Sequence, residues 1–347
     1  MWGSSDEIYG LALSPDGTLA SACKDGVVAF WNAVPRPEEE WPKLIELDRS
    51  CWPAFAPDSR VLAVPRAGTV SLFDLARCKE IEQLPELGTD GVYGVAYSAD
   101  GTLLVSGSRS GKTRVWSCAD RHLLRELGDP NAPIYPDLFW ADAGRLLSVD
   151  FLRKAIWWDT LTWQTIQTFA VGPFYSVGLS PDGRLLAFGT ETGAVHWLNA
   201  ETGEVLPTRS DAHRAPVVGI AFSADGKQAA SVAWDGRLAI WNPSSFQLID
   251  AFKGHLLGAH AVAFSPDGHR LATSSVGREA VRLWDLLTHR ELITLAGQGS
   301  DFRFVAFSPD GRWLAARSDE HQLHLWRAPS WAEIEVAEKR HESEQAP

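Results

Sequence analysis

A short phrase of the form Ser-Pro-Asp-Gly recurs eight times in the chain, about every 42 residues. Its copies begin at Ser14, Ala56, Ser98, Trp140, Ser180, Ser223, Ser265 and Ser308. Each copy follows an apolar or aromatic residue: Leu13, Phe55, Tyr97, Phe139, Leu179, Phe222, Phe264 or Phe307. A fixed period of this size indicates a repeat architecture, because units this small cannot bury a core alone and must stack. We number the units 1 to 8 in chain order.

Unit 6 shows how one repeat is built. Its β-branched, aromatic and alternating residues predict strands over 217–223, 228–233, 237–241 and 247–252. Asp225-Gly226 and Asp235-Gly236 supply the turns between them, because aspartate can cap a turn and glycine accepts positive φ. Four antiparallel strands per repeat, arranged radially, predict a β-propeller blade.

These features resemble the WD40 repeat family. The resemblance rests on the Ser-Pro-Asp-Gly turns, the Gly254-His255 pair and an aromatic residue that closes the third strand of each unit. The closing residues are Trp31, Phe73, Trp116, Trp158, Trp197, Trp241, Trp284 and Trp326. The resemblance covers about residues 8–338 and implies an all-β fold, a single β-propeller of WD40 repeats. It says little about function, because one fold serves many roles.

Eight complete units predict eight four-stranded antiparallel blades. Unit 1 starts with its inner strand near Ile8, and unit 8 ends with an outer strand at 332–338, so no strand is left to complete a blade from both chain ends. We therefore expect blade 8 to pack on blade 1 through side chains alone. The alternative is a seven-blade ring with one unit serving elsewhere, or a fragment of a longer array. We assign residues 1–338 to the propeller and expect the polar tail, 339–347, to be disordered.

Charge and cysteine content limit the function classes. The formal net charge of -12 argues against nucleic-acid binding, which needs clustered lysine and arginine. The four cysteines form no CxxC pair and occur only in units 1 to 3, which favours free thiols in a reducing, cytoplasmic compartment. No apolar run is long enough to span a membrane. The ten histidines form no metal-binding pattern, so we expect neither a metal nor a cofactor.

Unit 6 also contains four polar or indole side chains that suit a buried network: His213, Ser231, Asp235 and Trp241. A Ser-His-Asp trio can indicate a hydrolase, but the WD40 resemblance implies a structural hydrogen-bond network that braces the blade. The indole only donates, and the histidine can pass the contact on to the aspartate, so a closed network satisfies every buried group. Other units keep only part of the set. We therefore predict a structural network and no catalytic residues.

Alignment of the units on the repeated phrase reveals two columns. Four residues before the apolar residue, the first column reads Tyr9, Cys51, Tyr93, Tyr135, Tyr175, Val218, His260 and Arg303, and so holds four of the five tyrosines. Seven residues before the closing aromatic, the second reads Lys24, Arg66, Arg109, Phe151, Thr190, Trp234, Gly277 and Asp319. The resemblance implies that both columns lie at the upper mouth of the central channel, a common partner-binding position.

We predict that this upper face binds a partner, because aromatic residues and arginine are the usual anchors of interfaces. The predicted residues are Tyr9, Tyr93, Tyr135, Tyr175, His260, Arg303, Lys24, Arg66, Arg109, Phe151 and Trp234. Alternatively, the tyrosines only pack against neighbouring blades and the basic residues are only solvated. Trp52 and Trp313 lie outside both columns and are expected to be core residues.

The most consistent function is a non-enzymatic scaffold or sensor module that recruits a partner protein. Lysine and arginine beside aromatic rings suit an acidic or phosphorylated peptide, and an anionic small ligand over the channel is also consistent with them. With 24 arginines, 8 lysines and a single methionine, the composition suggests a G+C-rich bacterial genome. By resemblance we expect a bacterial-type WD40 protein, a subunit of a signalling or defence-type complex. The alternative is an enzyme or ligand-binding propeller at the channel mouth, with His260 and Asp301 as an acid–base pair.

Overall fold

The computed structural model describes residues 8–13, 18–23, 28–32, 43–47, 51–85, 91–108, 110–127, 137–142, 144–149, 154–209, 212–276 and 281–328. Side chains are described for these residues except 8–32, 137–142 and 208–209. In these ranges the regular structure consists of 31 β-strands. None of the described segments forms an apolar helix of membrane-spanning length.

Unit 1 forms a small antiparallel sheet of its own. Its strands, in the order β1-β2-β3, are β1 (Ile8–Leu13), β2 (Thr18–Cys23) and β3 (Val28–Asn32). The fourth strand of this unit, β4 (Lys43–Glu46), pairs elsewhere. Unit 1 therefore does not form a complete blade in the described part of the chain.

Seven four-stranded antiparallel sheets occur in the described residues, and they are the blades of one ring. Blade I has β5 (Ala54–Phe55), β6 (Val61–Pro65), β7 (Val70–Asp74) and β8 (Lys79–Gln83). Blade II has β9 (Val92–Tyr97), β10 (Leu103–Ser108), β11 (Thr113–Ser117) and β12 (Leu123–Leu127). Blade III has β13 (Asp137–Asp142), β14 (Arg145–Val149), β15 (Lys154–Asp159) and β16 (Thr165–Ala170).

The other four blades continue in chain order. Blade IV has β17 (Ser176–Leu179), β18 (Leu185–Gly189), β19 (Val195–Asn199) and β20 (Val205–Arg209). Blade V has β21 (Val217–Phe222), β22 (Ala229–Ala233), β23 (Arg237–Asn242) and β24 (Gln247–Lys253). Blade VI has β25 (Ala259–Phe264), β26 (Arg270–Ser275), β27 (Val281–Asp285) and β28 (Glu291–Leu295). Blade VII has β29 (Phe302–Phe307), β30 (Trp313–Ser318), β31 (Gln322–Arg327) and, on its outer edge, β4.

The prediction of eight blades without a shared strand is wrong, and the seven-blade alternative is correct. Strand β4, predicted to complete the blade of unit 1, pairs antiparallel with β31, so that Ile45 lies opposite Leu323. Leu47 N–H extends this pairing by donating to the His321 carbonyl at 2.7 Å. Unit 1 therefore supplies the outer strand of blade VII, and blade VII also packs against blade I through side chains. The outer strand expected at 332–338 and the tail at 339–347 lie outside the described residues.

Two physical factors favour this closure. Strand β31 would otherwise present an open edge with unpaired backbone groups, which β4 satisfies. The side chains of β4 also find a core, because Ile45 is buried in one cluster with Leu325 of blade VII and Phe73 of blade I. Ten residues separate β3 from β4, and a chain of this length can span roughly 35 Å. This length allows β4 to pair with a strand outside unit 1.

The repeated phrase forms the turn between the first two strands of a blade. In five units its serine Oγ donates to its aspartate Oδ1 at 2.5–2.7 Å. Its glycine has positive φ, as at Gly183 and Gly268. In unit 2 Ser59 takes the glycine position, also with positive φ, and its Oγ accepts from Asp310 N–H at 3.0 Å. That bond joins the turns of blades I and VII at the closure.

Candidate partner-binding face

The upper-face prediction is only partly covered by the described residues. Tyr93, Tyr175, His260, Arg303, Arg66 and Trp234 have described side chains. Tyr135, Lys24, Arg109 and Phe151 lie outside the described residues, and Tyr9 is described only as part of β1. The geometry of the face is therefore built from blades IV to VII and blade I.

Aromatic side chains form the first part of this face. Tyr175 precedes the inner strand of blade IV, and its ring makes an edge contact with Trp234 of blade V at a centroid distance of 5.8 Å. Trp234 in turn lies 6.2 Å from the ring of His260, on the inner strand of blade VI. Tyr175 and Trp234 are 47% and 45% exposed, far more than most large aromatic residues of the ring. Three adjacent blades thus contribute rings to one surface.

A charged group continues the face from His260. Nε2 of His260 lies 3.5 Å from Oδ1 of Asp301, at the start of blade VII. Arg303 Nε and Nη2 donate to Asp301 Oδ2 at 3.0 and 2.9 Å. Arg303 Nε also lies 3.1 Å from Oδ2 of Asp319, at the end of the second strand of the same blade. Two carboxylates therefore hold the arginine in place, and its side chain stays half exposed.

Arg317 and Trp52 complete this series and were not predicted as site residues. Arg317 is 1% exposed, its Nη1 lies 3.9 Å from Asp319 Oδ1, and its guanidinium lies 5.8 Å from the ring centroid of Trp52 in blade I. Trp52, expected in the core, is 39% exposed, whereas Trp313 is buried as expected. We call the eight residues from blade IV to blade I the mouth series: Tyr175, Trp234, His260, Asp301, Arg303, Asp319, Arg317 and Trp52.

The signal for Arg317 was present in the sequence. In the unit alignment its column holds small or apolar residues in the other described blades: Pro65, Gly107, Val149, Gly189, Val232 and Ser274. A charged residue on a strand whose side chains are all buried requires partners, because burial of an unpaired charge is costly. Burial lowers the pKa of the Arg317 guanidinium, while Cys51 and Asp319 act in the opposite direction.

The environment of His260 keeps its imidazole neutral. Burial lowers the pKa of His260 below its ordinary value, Asp301 raises it, Arg303 lowers it and Asp319 raises it. Because Asp301 is already engaged by Arg303, it acts on His260 mainly as a nearby charge. The pair considered in the sequence as an acid and a base is thus part of an ion-pair network.

Arg66 contacts β4 and blade I rather than the mouth series, whereas Tyr93 lies beside Trp52. Arg66 Nη1 donates to the Glu46 carbonyl at 2.6 Å, Nε donates to Ser71 Oγ at 3.3 Å, and the guanidinium lies over Phe73. This arginine therefore ties β4 to blade I. Tyr93 is half-buried on the inner strand of blade II, and its carbonyl accepts from Trp52 N–H at 2.6 Å.

The four residues singled out in unit 6 lie together in blade V. Trp241 Nε1 donates to Ser231 Oγ at 2.8 Å, and Nε2 of His213 lies 2.7 Å from the same oxygen. Asp235 accepts from two backbone N–H groups, those of Arg214 and Arg237, and lies 3.8 Å from His213 Nδ1. Burial lowers the pKa of His213 to about 4, which keeps it neutral. A neutral, buried imidazole that shares the Ser231 hydroxyl with an indole suits a brace rather than a nucleophilic site.

Other blades use shortened forms of this network. The closing tryptophan donates to a serine or threonine on the second strand in blades II, III and VI as well. Blade VI adds His255, which lies 2.7 Å from Thr273 Oγ1. In blade IV the predicted closing residue is wrong by one position. In blade II the closing residue Trp116 pairs with Leu104, and the residue that pairs with the equivalent Leu186 in blade IV is Leu198. Trp197, the predicted closing residue, packs against blade V instead.

Comparison with known proteins assigns the chain to a family. A family profile described as "WD domain, G-beta repeat" matches residues 2–32, 81–117, 205–242, 246–285 and 290–327, together more than half of the chain. The chain therefore belongs to the WD40 repeat family. Its seven blades form a WD40 propeller, a fold typical of protein-interaction scaffolds. In the described residues, no group of three or more His, Cys, Asp or Glu is placed to hold a metal ion.

Three curated relatives are eukaryotic. Protein groucho of Drosophila melanogaster is 33% identical over 168 residues, 43% of this chain and 22% of that protein. Periodic tryptophan protein 2 of Arabidopsis thaliana is 27% identical over 257 residues, 67% of this chain and 28% of that protein. B-type cell cycle switch protein ccs52A of Medicago truncatula is 24% identical over 279 residues, 79% of this chain and 50% of that protein. The chain thus spans at most half the length of these relatives.

A solved structure shares the fold. A chain in the crystal structure of the mitotic checkpoint complex superposes with a TM-score of 0.74 at 18% identity, over 88% of this chain and 99% of that chain. At this identity the likeness concerns the fold alone.

Proposed function

We propose that the mouth series recruits a partner protein by binding a short acidic or phosphorylated peptide. The observation that carries this proposal is the contact between Tyr175 and Trp234, two rings nearly half exposed on adjacent blades. Large rings left in water cost free energy that a partner recovers by covering them. Aromatic residues beside an arginine are the usual centre of a protein interface.

Arg303 supports an acidic ligand. Its Nε and Nη2 contact Asp301 and Asp319, but Nη1 has no partner among the described residues, and half of the side chain faces solvent. A carboxylate or phosphate can therefore add to this guanidinium without displacing the aspartates. The two aspartates hold the side chain in one orientation, which reduces the entropy lost on binding. Phosphate has more acceptor oxygens than a carboxylate and so gains more from the arginine.

The wider setting belongs to the same proposal. We place the chain in a larger hetero-complex, since the solved structure that shares its fold is itself a component of an assembly. A cytoplasmic location is supported by Cys78 and Cys118, which are free thiols in the described residues. A bacterial signalling or defence setting has only the arginine-rich composition in its support, and the three relatives are eukaryotic.

Capture from a lysate of the source organism tests the proposal. The baits are the wild-type chain, Trp234→Ala and, as a control, Leu287→Ala. Leu287 is also an exposed apolar residue, but it lies in the turn after β27, away from the mouth series. We expect a partner that wild type and Leu287→Ala retain and that Trp234→Ala loses at least fivefold. Phosphatase treatment of the lysate should reduce capture of a phosphorylated partner, and a partner insensitive to it should carry an Asp/Glu-rich segment.

Two results would refute this function. Equal capture by Trp234→Ala and Leu287→Ala would show that the exposed rings are not the binding surface. If Arg303→Gln captures the partner as well as wild type does while Trp234→Ala does not, the ligand is not an acidic peptide. The mouth series would then be a docking site that depends on its aromatic rings alone. Melting temperatures of all variants should lie close to that of wild type, because surface substitutions usually change stability little.

A further inference from the structure

A cavity of about 530 Å³ lies between blades I and II, at the end of the strands opposite the mouth series. The side chains of Leu72 and Leu84 from blade I, and of Trp116 from blade II, form its apolar wall. Its volume falls in the range of small-molecule sites. The corresponding space between blades VI and VII, lined by Phe307 and Trp326, measures only about 90 Å³.

The cavity lies where three other units of the repeat place an aromatic ring. Five residues after the closing position, three units place a ring against the preceding blade. Phe246 packs on Trp197 at 5.8 Å and His289 stacks on Phe252 at 5.4 Å. Trp163 packs against the cluster of blades II and III. In unit 3 this position is Arg121, whose guanidinium pairs with Glu82 of blade I. Blades I and II therefore meet through an ion pair at the rim, whereas blades III, V and VI have a ring at this position; blades I and IV have Cys78 and Gly203 there.

Tyr97 places a hydroxyl inside this cavity. It is the fifth tyrosine of the chain and occupies the position before the repeated phrase, where every other unit has phenylalanine or leucine. Burial, Cys118 and Asp58 raise the pKa of Tyr97, so the hydroxyl stays protonated. It has no hydrogen-bond partner among the described residues. A half-buried hydroxyl without a protein partner is available to a ligand.

Cys118 is the third residue lining the cavity at which unit 3 differs from the other units. The same position holds Leu75, Thr160, Ala200, Pro243, Leu286 or Ala328 in the other blades. Burial raises the pKa of the Cys118 thiol to about 11, with a further contribution from Asp100, so it is a neutral, polarizable wall group at physiological pH. Sulfur makes favourable contacts with aromatic rings.

The rim of the cavity is acidic. Asp58 and Asp100, from the repeated turns of units 2 and 3, both line it. Hydrogen bonds from Ser98 and Thr102 hold the pKa of Asp100 below its ordinary value, so that carboxylate stays ionised. Arg121 adds a positive charge, but Glu82 balances it. The two aspartates therefore leave a net negative opening above an apolar floor.

We propose that this cavity binds a small aromatic amine. The ring occupies the space that Trp163, Phe246 and His289 fill in other blades, the Tyr97 hydroxyl hydrogen-bonds to the ligand, and the ammonium group lies between Asp58 and Asp100. The site is independent of the mouth series, which lies at the other end of the strands. A ligand here contacts both blades at once and so stabilises the interface between them.

Calorimetric titration with tryptamine tests the site, with the neutral alcohol tryptophol as the matched ligand. Wild type should bind tryptamine at one site per chain and at least threefold more tightly than tryptophol. Arg121→Trp supplies the missing ring from the chain itself, as unit 4 does, and should weaken tryptamine binding at least tenfold. Arg125→Trp is the matched control, because Arg125 is exposed on β12 of the same blade and does not line the cavity, and its affinity should stay within about twofold of wild type. Tyr97→Phe should weaken binding several-fold.

Each contrary result excludes part of the proposal. Unchanged tryptamine binding by Arg121→Trp would overturn the site, and equal affinity for tryptophol would overturn the role of the amine. If Arg121→Trp does not fold by circular dichroism, Cys118→Phe fills the same space and must show the same loss. Tighter binding of the peptide acetyl-Lys-Trp-amide than of tryptamine would overturn the small-molecule ligand in favour of a side chain from a partner.

Discussion

Ile45 lies directly opposite Leu323 in the antiparallel pair that joins the fourth strand of the chain to the last described one. Both side chains are buried in a cluster that also contains Phe73 and Trp313. Through this pair, strand β4 of unit 1 is hydrogen-bonded to the last unit and packs against the first blade of the ring. The closure is a core contact as well as a hydrogen-bonded edge.

Shortening Ile45 should weaken the ring at this closure. Ile45→Ala removes apolar volume from a buried cluster, and such changes usually cost about 2 to 5 kcal/mol of unfolding free energy. Its neighbour Leu44 is 39% exposed, against 7% for Ile45, so Leu44→Ala is a matched control on the same strand. Urea unfolding followed by circular dichroism measures both. Equal losses for the two variants would contradict a closure that depends on the buried face of β4.

The stability of the ring should fall as the pH drops below about 6.5. Burial lowers the pKa of His213 to about 4 and that of His255 to about 3, so both are neutral in the folded chain. Between these values and about 6.5 the unfolded chain binds protons that the folded chain does not, and acid therefore favours unfolding. Each such histidine contributes up to about 1.4 kcal/mol per pH unit in that range.

Replacement of His213 separates this effect from other titrations. His213→Asn should be less stable than wild type at pH 7, by about 1 kcal/mol, because Ser231 loses a partner. It should also lose less stability than wild type between pH 6.5 and pH 4. His122→Asn, at an exposed turn, provides the comparison. Parallel curves for wild type and His213→Asn would show that this histidine is not the titrating group.

The mouth series should respond to charge changes in opposite directions. Arg303 lowers the pKa of His260 and Asp301 raises it. Arg303→Gln should therefore raise the pKa of His260, and Asp301→Asn should lower it further. Titration of the imidazole Cε1–H signals by NMR measures both changes, with the remaining histidines as internal references. A shift in the same direction for both variants would contradict the ion-pair geometry.

Much of the fold could be predicted from local pattern. In unit 6 the four predicted strands agree with β21 to β24 to within a residue at each end. Strand period and turn residues are local properties, so they can be recognised within one repeat. The columns also brought together Tyr175, Trp234, His260 and Arg303, because a repeat places equivalent positions at the same end of neighbouring blades.

The number of blades and two residues of the mouth series depended on long-range contacts. The residues of β4 do not by themselves specify which strand edge they pair with. Strand β31 becomes the partner only when the whole ring has formed. Arg317 and Trp52 come from strands at opposite ends of the described chain and meet only across the closure. The cavity beside Tyr97 depends on the Arg121–Glu82 pair between two blades, which no single repeat contains.

The pairing of β4 with β31 also sets the order in which the ring forms during synthesis. Strand β4 leaves the ribosome before every blade of the ring, whereas its partner β31 is translated after all the other described strands. The nascent protein must therefore remain an open arc until translation has passed β31, and the contact of Arg317 with Trp52 can form only after that arc shuts. Partner binding that uses both sides of this seam therefore requires that β31 has been synthesised and has paired with β4.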